Sequence, residues 1–78
     1  MPLYRFHVFN DDHTIDVQGR EFPDLAAARS YAIKCAREIM ADELRTRGAI
    51  NLKHWIEIED EAQDMHVAAF AEAVTIIP

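Results

Sequence analysis

Four histidines, His7, His13, His54 and His66, are the side chains whose type could hold a metal ion or carry a proton, and Asp11, Asp12 and Cys35 extend the donor set. Two imidazoles and a carboxylate make a zinc-binding combination. Such a site would use His7 and His66, which meet if they share a sheet face on neighbouring strands. The spacing argues against it. No His-x-x-x-His run occurs, and a single cysteine forms no Cys pair. Scattered surface histidines are the expectation, with no metal and no cofactor. Cys35 would be a nucleophile only as a thiolate, which a helix N-terminus or a neighbouring cation favours. It falls mid-helix on an apolar stripe, where a small buried hydrophobe is expected. Ser30 and the carboxylates Asp11-Asp12, Glu57, Glu59 and Glu61 lack any spacing that orients a base against them. Catalysis is therefore not expected.

Arg29, Lys34, Arg37, Arg45, Arg47 and Lys53 form a possible basic stripe, interrupted by Glu38, Asp42 and Glu43. The chain carries a formal net charge of −6, which repels phosphate backbones on average. A mixed solvated helix face with a Glu43–Arg47 pair at i, i+4 is the expectation, and weak nucleic-acid binding is an alternative.

The elements that must position these groups follow from periodicity. At 78 residues the chain is one domain, residues 1–78, with a thin core. Tyr4, Phe6 and Val8 alternate with Arg5 and His7, the pattern of a half-buried strand. Asn10-Asp11-Asp12-His13 turns the chain, and a second strand is expected around Thr14 to Val17, paired antiparallel. Gly19 and Pro23 end it. Asp24 is an N-cap for a helix from about Leu25 to Thr46, rich in alanine and closed by Gly48. Leu25, Ala28, Ala32, Cys35, Ala36, Ile39 and Met40 fall on one arc of that helix, with Ile33 and Leu44 at its edge. Further strands are expected at about Leu52 to Glu59 and Met65 to Phe70, joined by a polar hairpin loop. A helical turn over Phe70 to Ala73 and an extended tail, Val74 to Ile77, complete the chain. The fold class is α+β in ββαββ order, an antiparallel sheet with one long helix on one face.

One helix covers one face. If Tyr4, Phe6, Val8, Ile56, Ile58, Met65 and Val67 face it, alternation puts Leu3, Arg5, His7, Phe9, Trp55, Glu57, His66, Ala68 and Phe70 on the other. An outer face carrying Leu3, Phe9, Trp55 and Phe70 is too apolar for water alone. It reads as a homodimer or partner interface, unless the Val74–Ile77 tail folds over it.

Three stretches resemble a known family: Met1-Pro2-x-Tyr4-x-Phe6-His7, Asp16-x-x-Gly19-x-Glu21-Phe22-Pro23-Asp24-Leu25-Ala26-Ala27-Ala28-Arg29, and Ile56-Glu57-Ile58-x-Asp60-Glu61. The chain is similar over nearly its whole length to a family of short bacterial proteins of unknown function. It departs from that pattern at Gln63, where the family usually has a turn glycine, and at Ala69, where a proline often precedes the Phe70 position. The resemblance implies a bacterial cytoplasmic protein and no activity, cofactor or catalytic residue. No apolar run approaches the ~20 residues of a membrane span, and no signal peptide is expected. Together these readings predict a non-enzymatic interaction module that homodimerises. A small-ligand or metal-binding protein using His7 and His66 is the first alternative, a weak nucleic-acid binder the second.

Overall fold

A computed structural model describes residues 1–78. The strands are β1 (Leu3–Phe9), β2 (His13–Thr14), β3 (Arg20–Glu21), β4 (Trp55–Glu59) and β5 (Met65–Ala69). The helix α1 spans Leu25–Arg47, and a 3-10 turn covers Phe70–Ala73. The sheet is antiparallel, in the order β2-β1-β4-β5, with β3 also pairing β1. The expected α+β class, with one long helix on an antiparallel sheet, is the fold observed. No helix is long and apolar enough to cross a membrane.

The helix ends are set by side-chain chemistry. Asp24 accepts from the Ala27 amide at 2.9 Å, satisfying a donor that the first turn leaves free. Gly48, at φ +68°, turns left-handed and donates to the Leu44 carbonyl at 3.0 Å. Between these caps Ala28, Ala32, Ala36 and Met40 repeat every four residues and are the buried helical positions. Small side chains along this seam let the helix sit close to Ile56, Ile58 and Phe70, the largest fully buried side chains. Each of those contributes about 1.5–3 kcal/mol of burial.

The stretch between the first strand and the helix departs from expectation. In place of one strand over Thr14–Val17 there are two of two residues each, β2 and β3. Asp16 is the cause. Its Oδ2 accepts from the Phe6 amide at 3.1 Å, and its Oδ1 accepts from the Gln18 and Gly19 amides at 3.1 and 3.0 Å. A side chain thus replaces the ladder partner in mid-β1, and the backbone from Ile15 to Gly19 loops away. The strand after the helix begins at Trp55, not Leu52. Asn51 holds a turn there, accepting from the Lys53 amide at 2.9 Å through its side chain.

The last strand corrects the face assignment. Ile56 pairs with Ala68 and Ile58 with His66, and directly opposed residues share a face. His66 and Ala68 therefore lie on the helix side with Tyr4, Phe6 and Val8, while Met65, Val67 and Ala69 lie outside. The expected parity of β5 is off by one residue, which moves every side chain to the other face. Phe70, expected outside, is 0% exposed in the core. The tail does not cover the outer face with its apolar side chains: Ile76 and Ile77 are 68% and 84% exposed.

Candidate functional site

The outer face of the sheet is built on β1, β4 and β5. At one end Phe9 and Trp55, opposed across β1 and β4, stack with ring centroids 5.1 Å apart and planes within 5°. His13 adds a third ring, 4.1 Å from Phe9. The Trp55 indole N–H donates to Glu57 at 3.1 Å, so the ring is held in place. Leu3 stands at the far end of β1, where its side chain closes on the Gly19 backbone. Of the four residues expected to form one contact surface, Phe9 and Trp55 are together, Leu3 is apart, and Phe70 is in the core.

Met65 and Val67 take the place of Phe70. Both lie on β5, point outward and are 50% exposed. Their backbone is open as well. Ladder bonding alternates along an antiparallel strand. The Phe70 amide donates to the His54 carbonyl at 2.9 Å, continuing the bonded positions His66 and Ala68 toward β4. Met65, Val67 and Ala69 therefore turn their N–H and C=O groups away from β4, to the sheet's edge. The Ala69 amide there is taken by the Glu72 carboxylate at 2.8 Å, and Glu72 is itself paired with Arg29 at 3.3 Å.

The histidines are dispersed but not all on the surface as expected, since His7 and His54 are buried. His7 and His66 lie on opposite faces of the sheet and do not meet, because β5 has the other parity. His7 is buried, and both its nitrogens are engaged. The Asp16 amide donates to Nδ1 at 3.1 Å, so Nδ1 bears no proton and Nε2–H donates to Glu59 at 2.8 Å. This imidazole ties the Asp16 loop to β4 and leaves no free lone pair. His66 donates from Nε2 to Asp60 at 2.9 Å, and this hydrogen bond is the main cause that holds the Asp60 pKa below the usual carboxylate value. His54 is buried edge-on against Phe70, with Nε2 3.5 Å from Asp11 and Nδ1 without a partner. Asp11 is shared with Arg47 at 2.9 Å. The Arg47 hydrogen bond lowers the Asp11 pKa, and the same bond raises that of Arg47. Arg47 thus pairs with Asp11 and not, as expected, with Glu43.

Asp16 is the residue on which this region turns, and periodicity alone gives it no role. Partial burial disfavours its charge. The hydrogen bonds from Gly19, Phe6 and Gln18, with His7 nearby, outweigh that cost and hold its pKa below the usual value. The signal is present as Asp16-x-x-Gly19, the spacing of a carboxylate that caps its own turn. The three hairpin glutamates are also placed: Glu57 holds Trp55, Glu59 holds His7, and Glu61 accepts from the Leu3 amide at 2.7 Å. Among the basic residues, Arg29, Arg37, Arg45 and Arg47 each meet a carboxylate or carbonyl. Cys35 is half-buried on the flank of α1.

The fold and this surface define a small α+β domain with an open sheet edge beside an aromatic stack. Residues 3–71 match the family model described as domain of unknown function (DUF6894), and the chain belongs to that family. The resemblance carried by the three sequence stretches holds at that level. Comparison with curated proteins gives no match, and comparison with solved structures gives none.

Proposed function

We propose that this domain is a non-enzymatic protein-interaction module of the bacterial cytoplasm that homodimerises through the β5 edge. The observation that carries the reading is the pair Met65 and Val67, which combine half-exposed outward side chains with unpaired backbone groups. A second copy running antiparallel, with Met65 of one opposite Val67 of the other, joins these groups in two bonded pairs. That register leaves the Ala69 amide on Glu72. It also brings the outer faces into line, so that Trp55, Ala69, Val67 and Met65 of both copies form one apolar strip. Strand addition of this kind draws affinity from main-chain bonds and specificity from alternate side chains.

The test is the solution mass by light scattering over a dilution series. The proposal expects twice the 9.0 kDa chain mass at high concentration. Val67→Pro removes an edge N–H and no bond within the chain, since edge positions tolerate proline. It should yield a monomer with an unchanged circular dichroism spectrum. A dimer that persists in Val67→Pro, or a wild-type monomer at every concentration, overturns the reading.

A further inference from the structure

The helix covers the sheet unevenly. Its alanine seam rests on β4 and on the turn after β5. On the β1 side the sheet continues only into the short strands β2 and β3, and an open groove of about 730 Å3 remains between α1 and β1. That size falls within the roughly 300–1,000 Å3 of sites that hold ligands. Phe6, Val8 and Ile56 form its floor, and Tyr31, Cys35 and Ile39, spaced by four on α1, form its wall.

The charges around this apolar cleft are one-sided. Asp16, Glu38, Asp42 and Glu43 line it, against the single cation Arg20. Arg20 is engaged at one end: it donates to the Tyr31 hydroxyl at 2.9 Å, with its guanidinium 4.8 Å from that ring's centre. Asp16 is engaged by backbone amides. At the open end Glu38 and Glu43 make no hydrogen bond or ion pair, and Asp42 has only an exposed contact with Arg45 at 3.4 Å. Three carboxylates thus stand beside apolar walls with no basic residue from the rest of the groove to answer them.

We propose that this groove binds a basic peptide segment of another protein. An aliphatic or aromatic side chain of the segment lies over Val8, Cys35 and Ile39. Flanking lysines or arginines reach Glu38, Asp42 and Glu43, their alkyl stems lying along the apolar wall. The three carboxylates extend over about 7.5 Å of helix axis, five residues at 1.5 Å each, so they fit spaced cations better than one compact one. No group of three His, Cys, Asp or Glu side chains is arranged to hold a metal ion. The acidic rim repels phosphate. A second copy suits the groove less well, because Arg29, Arg37 and Arg47 already meet acceptors within their own chain. The groove lies on the helix side of the sheet and flanks β1, while the proposed dimer edge is β5. Either proposal can fail alone.

The probe is a synthetic ten-residue peptide, blocked at both ends, alternating lysine with leucine and phenylalanine. Its control replaces every lysine with glutamate. Binding is read by fluorescence anisotropy of the labelled peptide and by the alkylation rate of Cys35, the chain's only thiol. The lysine peptide should bind, weaken as salt rises, and slow Cys35 alkylation several-fold at saturation. The glutamate control should not bind. The triple variant E38Q/D42N/E43Q, which changes only charge at the rim, should weaken binding by about tenfold. The proposal is overturned by no binding up to about 1 mM peptide, by equal binding to the triple variant, or by a Cys35 rate that the bound peptide leaves unchanged.

Discussion

Replacing Asp16 with asparagine exchanges one oxygen for an NH2 group and tests how the β1 edge is held. The asparagine keeps a carbonyl oxygen for the Gln18 and Gly19 amides. It then places its NH2 group against the Phe6 N–H, where Oδ2 now accepts at 3.1 Å. One charge-assisted bond is lost, the other two weaken, and two donors face each other. A hydrogen bond to a charged group contributes about 1.5–3 kcal/mol, and water reaches this half-buried site, so the loss should be about 2–3 kcal/mol. A chain of this length has a total stability of about 4–12 kcal/mol. The melting temperature should therefore fall by roughly 10–20 °C. Urea denaturation and thermal melts at pH 7 measure both quantities. The pH dependence supplies a second readout. The folded-state pKa of Asp16 is depressed, so its contribution is complete above the unfolded value of about 3.9 and disappears as pH falls through the folded value. The gap between wild type and Asp16→Asn should be flat near neutrality and narrow below about pH 4. A loss under about 0.5 kcal/mol, or a gap that does not close in acid, refutes the hinge role assigned to this carboxylate.

Two glycines with positive φ should respond very differently to alanine. Gly48, at φ +68° with nothing near the added methyl, should lose about 1 kcal/mol from backbone strain alone. At Gly19, φ +74°, a Cβ would lie 2.7 Å from the Tyr4 carbonyl oxygen, so Gly19→Ala should cost about 3 kcal/mol or more in the same denaturation assay. Gln63 is the one non-glycine residue with positive φ, at 67°, in the β4–β5 hairpin loop. Gln63→Gly should relieve that strain and raise stability by about 0.5–1 kcal/mol, seen as a higher urea midpoint with an unchanged slope.

The sequence made the helix legible almost to the residue, because Asp24 and Gly48 are chemical stops. The strands β1 and β4 were legible by face, because Tyr4, Phe6, Val8, Ile56 and Ile58 alternate with their neighbours on the other side. The segment Met65-His66-Val67-Ala68-Ala69 is different. Its most apolar residues, Met65 and Val67, point outward, and its polar His66 points inward. Hydrophobic alternation therefore assigns the wrong parity, and Phe70 moves with it. The pairing that fixes the parity comes from the hairpin loop. There the Gln63 amide donates to the Asp60 carbonyl, and the Asp64 carbonyl accepts from the Asp60 amide. Tyr31 escapes notice for another reason. It lies beside the predicted stripe, and only the tertiary position of Phe22 turns it into the centre of an aromatic cluster, 5.0 Å from Phe6 and 5.2 Å from Phe22.

The inverted pattern of β5 bears on function. A strand that exposes Met65 and Val67 while turning a histidine inward is poorly matched to an edge that meets only water. Edge strands are normally shielded by charge, proline, a bulge or a covering segment. The opposite side of this sheet follows that rule: β2 and β3 cover the ends of β1, and the Asp16 carboxylate occupies the Phe6 amide between them. At β5 the shielding stops at Ala69, where Glu72 caps the amide, and the next two outward positions are bare. The flank with the protected edge carries the acidic groove on its helix side, and the flank with the open edge carries Met65 and Val67 on its outer side. The two surfaces thus lie on opposite flanks of the sheet, which allows a dimer joined at β5 to present two grooves outward at once.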